Sequence, residues 1–306
     1  MIDLSVVIVT YKCKSVALDC LRSLFAGGGL DGLNAEVFVV DNASGDGVLE
    51  AFPPTASLSP PPSGEVPIHA IPLQTNVGFS AANNIGIARA TGRNVLLLNP
   101  DTLIPAGALK ACVDFLDGQP SPVGGMGCRV VTAEGVTQWE CARKLVTPFT
   151  ECVRALWPFS PPEALPKSAL ERTGPVPCLL GAFMLLRKSA LDAVGPLDER
   201  FFLMYEDVDL CKRFGDAGFD LIYWPEVSIT HFGGESWKQE KIKTFAASHA
   251  SAMKYLEKHH PRSVSFVRAV VRLGLELRLL ALRARKPGEW TTEHVAMVNA
   301  AREALK

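Results

Sequence analysis

The sequence lacks the features that mark several large classes of protein. Its charges nearly cancel, with 31 Lys and Arg against 32 Asp and Glu, which excludes the overall basicity of a typical nucleic-acid-binding protein. No uncharged apolar run reaches the roughly 18 residues that a membrane-spanning helix needs. The first residues lack the basic segment and the cleavage site of a signal peptide, so we expect a cytoplasmic protein.

The cysteines argue against two further kinds of site. None of the eight forms a C-x-x-C motif, and none lies with histidines at zinc-finger spacing. Eight thiols in 306 residues are also too few for a disulfide scaffold. We therefore predict buried and chemically inert thiols.

Glycine is missing where a dinucleotide-binding protein needs it. The first predicted strand runs directly into Thr10 and Tyr11, with no glycine-rich turn and no P-loop. Residues 27–32 do satisfy G-x-G-x-x-G, but they follow a predicted helix and precede a predicted strand, the reverse of the dinucleotide-binding order. We interpret this segment as a helix end and a loop, which argues against a nucleotide-binding dehydrogenase.

Strands and helices alternate through the first half of the chain. We predict strands over residues 5–9, 36–40, 68–73 and 95–98, and helices over 15–25, 81–90 and 103–116, with a proline-rich loop at 53–67. This alternation predicts an α/β fold with a mostly parallel, Rossmann-like sheet flanked by helices. The second half is mixed, with strands predicted over 178–187 and 220–224 and helices over 206–215 and 244–285.

Polar side chains follow three of the buried strands. They are Thr10 with Tyr11, Asp41 with Asn42, and Asn99 with Asp101. In open α/β sheets ligands bind beyond the carboxyl ends of the strands, so we expect one crevice to collect all three groups. Taken one at a time, Asp41 also suits a turn and Asp101 suits a helix cap.

Amides and glycines are concentrated in residues 76–86, around the start of a predicted helix. Asn83 and Asn84 are poor helix formers, so helix propensity does not explain them. Capping accounts for one asparagine, but not for Asn76, Asn83 and Asn84 together. The segment is therefore a candidate for ligand binding.

Three carboxylates, those of Glu206, Asp207 and Asp209, lie at the start of another predicted helix. Capping and the helix dipole account for one or two of them. Two adjacent acids resist full ionisation, so we expect one to have a raised pKa, which suits a general base near neutral pH. Arg213 suits either a phosphate or an ion pair with Asp209.

Asp101 and His231 suggest a metal ion. Pro100 ends a buried strand and sets the direction of Asp101, and a carboxylate among oxygen donors suits Mg²⁺ or Mn²⁺. His231 ends a predicted strand just before Gly233 and Gly234. A lone histidine in such a place is either structural or a metal ligand.

Together these segments resemble the inverting family-2 glycosyltransferases of the GT-A fold. The resemblance covers about residues 4–236, and its motifs occur in the family's order: VIVTY (7–11), VVDNAS (39–44), NVGFSAANNIG (76–86), LLNPD (97–101), GAF (181–183), FLMYEDVDLCKR (202–213) and HFGG (231–234). The sequence looks most similar to rhamnosyltransferase-like members that assemble bacterial surface polysaccharides. One motif departs from the family, because Asn99 replaces the first carboxylate of the usual Asp-x-Asp.

The resemblance implies roles for the candidate residues. The nucleotide-sugar site would comprise Thr10, Tyr11, Asp41, Asn76, Gly78, Asn99, Asp101 and Arg213. The first three would hold the nucleoside, and Asn76 and Gly78 would lie near the ribose and diphosphate. Asp101 and His231 would bind a Mg²⁺ or Mn²⁺ that bridges the diphosphate. Asp207 would be the general base for the acceptor hydroxyl, with Glu206 as the alternative.

The expected reaction is one displacement at the anomeric carbon, with a base for the nucleophile and a cation for the leaving diphosphate. The resemblance favours dTDP-rhamnose as donor, then UDP- or GDP-sugars, and a saccharide or lipid-linked saccharide as acceptor. The alternative is a degenerate, non-catalytic nucleotide-sugar- or glycan-binding protein of the same fold. The missing first carboxylate leaves that alternative open.

We expect a GT-A domain over residues 1–240, with a nucleotide-sugar half at 1–117 and an acceptor half at 118–240, and a helical region over 241–306. One apolar stripe in the helical region comprises Phe266, Val270, Leu273, Leu277 and Leu280. Residues 254–286 also carry nine Lys and Arg against two Glu. The stripe is expected to dock on the catalytic domain, to contact the inner face of the cell membrane, or to contact another subunit of a homo-oligomer.

Overall fold

The structure of the protein is a computed structural model that describes residues 1–51, 66–157, 161–233, 241–284 and 289–305. Most of the predicted proline-rich loop at 53–67 lies outside the described residues, as do Gly234 and Arg285. Nine strands form one sheet within the described part of the chain. They are β1 (Leu4–Thr10), β2 (Ala35–Asp41), β3 (Ile68–Pro72), β4 (Asn94–Leu98), β5 (Thr102–Leu103), β6 (Val123–Val131), β8 (Gly174–Pro175), β10 (Phe183–Arg187) and β11 (Asp220–His231).

The strand order in this sheet is β3-β2-β1-β4-β10-β6-β11-β5, and β8 pairs with β11. A separate two-stranded sheet is formed by β7 (Ala142–Arg143) and β9 (Cys178–Leu179). Strands β1 to β4 are parallel to one another, and β10 then runs antiparallel between β4 and β6. All seven residues of β1 are buried. This agrees with its run of Val and Ile, because a strand covered on both faces of a sheet has apolar residues in succession. The predicted α/β architecture is therefore confirmed.

Helices cover the sheet and extend the chain beyond it. In chain order they are α1 (Lys14–Leu24), α2 (Phe79–Ile87), α3 (Ala108–Asp117), α4 (Pro148–Leu156), α5 (Lys188–Val194), α6 (Glu206–Asp216), α7 (Lys241–His259), α8 (Val264–Arg283) and α9 (Glu289–Ala304). The segment at 27–32 follows α1 and precedes β2, so it connects them as predicted. All eight thiols are free, and seven of them are buried.

Three predicted elements have different bounds. The helix predicted from residue 103 begins at Ala108, because the chain first forms β5 and then passes Pro105. The strand predicted over 178–187 is divided into β9 and β10 by a turn at 180–182. The strand predicted to end at Trp224 continues to His231 through a register shift around Pro225, which has no N–H for the ladder.

The longer β11 brings two distant parts of the chain together. It pairs antiparallel with β5, and this register sets His231 opposite Thr102. Phe232 N–H also donates to the Asp101 carbonyl at 3.0 Å. The backbone therefore places His231 beside Asp101, 130 residues earlier in the chain.

The C-terminal helices correct one predicted boundary and remove one of the three alternatives for the apolar stripe. The helical region predicted over 244–285 breaks around Pro261 into α7 and α8, which agrees with proline's poor fit inside a helix. The predicted stripe on α8 is exposed at Phe266, Leu273, Leu277 and Leu280 rather than docked on the domain. The buried side of α8 comprises Val267, Val271, Gly274, Leu275, Leu279 and Leu282. Among the helices described here, none is both long and apolar enough to cross a membrane.

Candidate functional site

A cleft of about 1190 Å³ opens beyond the carboxyl ends of β1 and β4. Seven of the predicted site residues line it: Tyr11, Asn76, Asn99, Asp101, Glu206, Asp207 and His231. They come from loops that are far apart in the sequence. The structure thus gathers at one edge of the sheet the groups that follow separate strands, as expected for an open α/β sheet.

Thr10 and Asp41, predicted to bind the nucleoside, do not line the cleft and lie opposite each other at the ends of β1 and β2. The Thr10 hydroxyl donates to Asp41 Oδ1 at 2.9 Å, and the Ser44 hydroxyl donates to the same oxygen. Ser44 also accepts from Lys12 N–H at 3.0 Å. These bonds order the loop after β1, which carries Tyr11 into the cleft.

Asn42 and Asn76 join the loop after β2 to the start of α2. Asn42 donates to Asn76 Oδ1 at 3.0 Å and accepts from Val77 N–H at 2.9 Å. Gly78 has φ of +92°, and a Cβ there would lie 2.7 Å from a ring atom of Phe202. Only glycine suits this backbone conformation and this close approach.

The two other asparagines of this segment have structural roles. Asn83 donates to the Phe79 carbonyl at 2.9 Å, one turn earlier in α2. Asn84 donates to the Leu197 carbonyl at 2.8 Å and accepts from Leu197 N–H at 3.0 Å. These contacts explain the asparagines that helix propensity and capping leave unexplained.

Asp101, His231 and Asn99 form a cluster on the cleft wall. His231 Nε2 lies 3.2 Å from Asp101 Oδ1 and 3.3 Å from Asn99 Nδ2. Both Asp101 and His231 are buried, at 6 % and 8 % exposure, although they line the cleft. The predicted pair of metal ligands is therefore brought together, with the amide that replaces the usual first carboxylate beside it.

Gln138, which the sequence did not point to, orients His231. Gln138 Nε2 donates to the His231 carbonyl at 2.8 Å, so its Oε1 faces His231 Nδ1 at 2.9 Å. Since Oε1 can only accept, Nδ1 carries the proton of this bond. In the neutral ring Nε2 then keeps its lone pair, which points toward Asp101 and Asn99. A metal-binding histidine is usually held in this way through its other nitrogen.

The donor set fits a divalent ion that is only partly bound by protein. Among the described residues, no group of three or more His, Cys, Asp and Glu side chains could hold a metal. Asp101 and His231 offer one carboxylate oxygen and one imidazole nitrogen on the wall of an open cleft. Mg²⁺ and Mn²⁺ accept such sparse protein ligation where phosphate oxygens and water complete the shell.

Asp207 is held by three donors. Arg143 donates to Asp207 Oδ2 at 2.7 Å, and Gly181 N–H donates to the same oxygen at 3.0 Å. Val208 N–H donates to Oδ1 at 2.7 Å. Arg143 therefore supplies the buried carboxylate with a counter-ion, and Oδ1, with the smaller number of donors, is the oxygen better placed to accept a further proton.

Glu206 differs from its neighbour. Its Oε2 is buried with no hydrogen-bond partner among the described residues. Burial, followed by the charge of Asp207, raises the pKa of Glu206 to about 8. One of the two adjacent acids thus has a raised pKa, as expected, but it is Glu206 and not Asp207, the residue predicted to be the base.

Asp209 and Arg213 do not reach the cleft. Arg213 Nε donates to Asp209 at 2.8 Å, and its other nitrogens donate to the carbonyls of residues 194–196. Asp209 is fully buried and also contacts Lys258 and His259 of α7, at 2.6 and 2.8 Å. Burial raises its pKa, but the bonds from His259, Lys258 and Arg213 outweigh burial and lower it. Two roles were predicted for Arg213, a phosphate contact and an ion pair with Asp209. The structure shows the ion pair, and Arg213 does not line the cleft.

Two further arginines on the cleft wall come from α4 and α8. Arg154 pairs with Glu151 at 3.2 Å and with Glu163 at 2.7 Å. Arg278 donates to the Arg154 carbonyl at 3.0 Å and has no carboxylate partner among the described residues. Burial lowers its pKa, as expected for a cation without a counter-ion. Two arginines and two glutamates therefore meet on this wall, and Arg278 is the cation that neither glutamate contacts among the described residues.

The residues that the sequence did not predict share one property. Gln138 lies in an irregular stretch after β6, Arg143 lies on the two-residue strand β7, and Arg154 and Arg278 lie on amphipathic helices. None forms part of a local motif, and each bonds at least one residue that lies 51 to 124 positions away in the chain. Only the tertiary fold reveals them.

Comparison with known proteins agrees with this geometry. The family described as "Glycosyltransferase like family 2" matches residues 3–249. An N-acetylglucosaminyl-diphospho-decaprenol L-rhamnosyltransferase of Mycobacterium tuberculosis is 29 % identical over 241 residues, which cover 73 % of this chain and 75 % of that protein. Rhamnosyltransferase WbbL of Escherichia coli K12 is 24 % identical over 186 residues, which cover 58 % of this chain and 70 % of that protein.

Solved structures share the fold. The mannosyltransferase PcManGT of Pyrobaculum calidifontis, solved with GDP-Man and Mn²⁺, aligns with a TM-score of 0.55 at 16 % identity, over 100 % of this chain and 89 % of that one. Residues 1–349 of S. aureus TarS in complex with UDP align with a TM-score of 0.51 at 15 % identity, over 99 % and 90 %. The match to the family covers well over half of the sequence, and the motifs that match it converge on one cleft. The chain is therefore a member of glycosyltransferase family 2 with the GT-A fold.

Proposed function

We propose that the protein transfers rhamnose from dTDP-rhamnose, with inversion, to a hydroxyl of a saccharide carried on a lipid diphosphate. The observation that carries this proposal is the arrangement of Asp207 and the Asp101–His231 pair on the walls of one cleft. The rhamnosyltransferase relatives support the choice of sugar, and the name of the mycobacterial relative supports the class of acceptor.

The donor occupies the side of the cleft formed by the strand ends. Tyr11 contacts the nucleoside above the Thr10–Asp41 pair, and Asn76 lies beside the ribose and diphosphate. Asp101 and His231 Nε2 would hold a Mg²⁺ or Mn²⁺, and such an ion would supply positive charge to stabilise the leaving diphosphate. Asn99 Nδ2 lies 3.3 Å from the same nitrogen, and this contact would give way when Nε2 binds the ion.

Asp207 takes the proton of the attacking hydroxyl. Its Oδ2 is held by Arg143 and Gly181, so Oδ1 is the accepting atom. The acceptor oxygen attacks the anomeric carbon as the bond to the diphosphate oxygen breaks, and the proton passes to Oδ1. Positioned general bases typically contribute about 10²–10⁴ in rate. Glu206, neutral at pH 7, is a hydrogen-bond donor beside the base rather than a second base.

The acceptor enters along the wall formed by Arg154 and Arg278. Arg154 is already paired with Glu151 and Glu163, whereas Arg278 has no carboxylate partner among the described residues. Arg278 therefore binds the negatively charged part of the acceptor. A lipid diphosphate provides such a group, and a neutral sugar does not.

A panel of donors tests the assignment of the sugar nucleotide. With Mn²⁺ present, dTDP should protect the protein against thermal unfolding more than UDP or GDP at equal concentration, because protection grows with affinity. Release of nucleoside diphosphate should then be fastest from dTDP-rhamnose. Equal protection by all three nucleotides, or a preference for GDP, would overturn the choice of dTDP-rhamnose.

A further inference from the structure

Helix α8 presents a row of large apolar side chains to solvent. Phe266, Leu273, Leu277 and Leu280 are 68, 52, 51 and 60 % exposed, at spacings of seven, four and three residues along the helix. Such spacing sets them on one face. The opposite face of α8 packs into the core, so the exposed row is not required for the packing of this helix.

A second exposed apolar row lies on the neighbouring helix. Phe149, Leu156 and Trp157, on α4 and at its end, are 74, 50 and 61 % exposed. The two helices are in close contact at Gly274 of α8 and Ala155 of α4. A Cβ added to Gly274 would clash with the backbone of Ala155. Seven large apolar side chains are therefore exposed on two adjoining helices. Apolar surface of this kind marks an interaction site on a soluble protein.

The charge around this surface indicates what covers it. The described residues 254–284 carry seven Lys and Arg against two Glu, with Lys258 and Arg268 paired with carboxylates, although the whole chain has a net charge of −1. Arg262 and Arg283 are exposed and, within the described residues, have no carboxylate partner. A helix with an apolar face and flanking basic residues is suited to the interface of an anionic membrane. A second copy of this basic face would be repelled.

We propose that the α4–α8 face, defined by these seven apolar side chains, docks on an anionic phospholipid bilayer. The same two helices contribute Arg154 and Arg278 to the cleft wall, so docking would hold the cleft close to the membrane. The docking follows from the exposed side chains and charges, whereas its use in catalysis rests on the proposed lipid-linked acceptor.

Co-sedimentation of the full-length protein with vesicles tests the docking. We expect binding to phosphatidylglycerol–phosphatidylcholine vesicles, much weaker binding to pure phosphatidylcholine, and a steep loss of binding as salt rises. The double variant Leu273→Gln/Leu277→Gln should bind at least about tenfold more weakly, since two apolar contacts are lost. Arg283→Gln should weaken binding about fivefold. Val136→Gln is the matched control, because Val136 is 62 % exposed but lies on neither helix.

Two results would overturn the proposal. One is vesicle binding that is absent or that the double variant leaves unchanged. The other is self-association in analytical ultracentrifugation that the double variant abolishes, which would identify the face as a subunit interface. Transfer to a short-chain, water-soluble acceptor separates this test from the proposed function. The double variant should keep that transfer, so docking and activity can fail independently.

Discussion

Gln138 and His231 are joined by two hydrogen bonds although they lie 93 residues apart. The amide nitrogen of Gln138 donates to the His231 carbonyl, and its oxygen accepts from the ring at Nδ1. One side chain thus fixes both the backbone and the tautomer of the histidine. His231 Nε2 is left facing Asp101, which is the arrangement that a metal ligand requires.

Replacing Gln138 should therefore weaken metal binding without touching a ligand. We expect Gln138→Leu to lower the affinity for Mn²⁺ by about 10–100-fold, since loss of such an orienting partner typically has that effect. Calorimetric titration of dTDP with Mn²⁺, and again with EDTA, measures the metal-dependent part of nucleotide binding. Gln119→Leu is the control, because the side-chain amide of Gln119 donates to the Phe115 carbonyl of α3 and Gln119 does not line the cleft. Equal metal dependence in both variants would count against the role of Gln138.

The assignment of the base separates two neighbouring carboxyl groups. Asp207→Asn keeps the shape of the side chain but cannot take a proton, so kcat should fall by about 10²–10⁴ while the Kd for nucleotide changes little. Glu206→Gln keeps a neutral hydrogen-bonding group and should reduce kcat much less. Steady-state kinetics with saturating donor gives both values. An inactive Glu206→Gln beside an active Asp207→Asn would exchange the two roles.

Glu206 should make the protein less stable as the pH rises. Its pKa is about 8 in the folded state, because burial and then the charge of Asp207 oppose ionisation, against an ordinary value of 4.5. Between these values the unfolded chain releases the proton and the folded protein keeps it, so the free energy of unfolding falls as pH increases. Urea unfolding from pH 5 to pH 9 should show a steeper loss for the wild type than for Glu206→Gln. Parallel curves would show that Glu206 is not the cause.

Arg278 should act on the acceptor and not on the donor. Arg278→Gln removes the cation without a carboxylate partner from the cleft wall, so the KM for a diphosphate-linked acceptor should rise by about tenfold or more. The KM for the sugar nucleotide should stay within about twofold. Arg22→Gln is the matched control, since Arg22 forms an exposed ion pair with Asp19 on α1. A rise in the donor KM alone would place the nucleotide, not the acceptor, at Arg278.

Much of the fold was predictable because parallel strands have a simple pattern. Residues buried on both faces form continuous apolar runs, and the carboxyl ends of such strands meet at one edge of the sheet. Tyr11 and Asn99 could therefore be placed in the same cleft from the sequence. The resemblance to family-2 glycosyltransferases implied roles for Asp207 and His231, and the family assignment is confirmed.

Other features depend on contacts that no local pattern records. Arg143 meets Asp207 from a two-residue strand, and Gln138 reaches His231 from an irregular segment. On α8 the sequence has two apolar faces at helical spacing, one with Val267 and one with Leu273. Periodicity does not show which of the two faces packs against the domain. The face that we identified from the sequence, with Leu273, is exposed to solvent. Arg213 was ambiguous for a similar reason, since an ion pair and a phosphate contact require the same side chain.

Transfer itself is the most direct test of the proposed activity. Wild-type protein, dTDP-rhamnose, Mn²⁺ and a short-chain lipid diphosphate bearing N-acetylglucosamine should yield, by mass spectrometry, an acceptor heavier by one rhamnose residue. The Asp207→Asn variant should yield almost none in the same time. If the wild type binds dTDP but forms no product with any sugar nucleotide, the transferase proposal is contradicted and a non-catalytic binding protein is the better description.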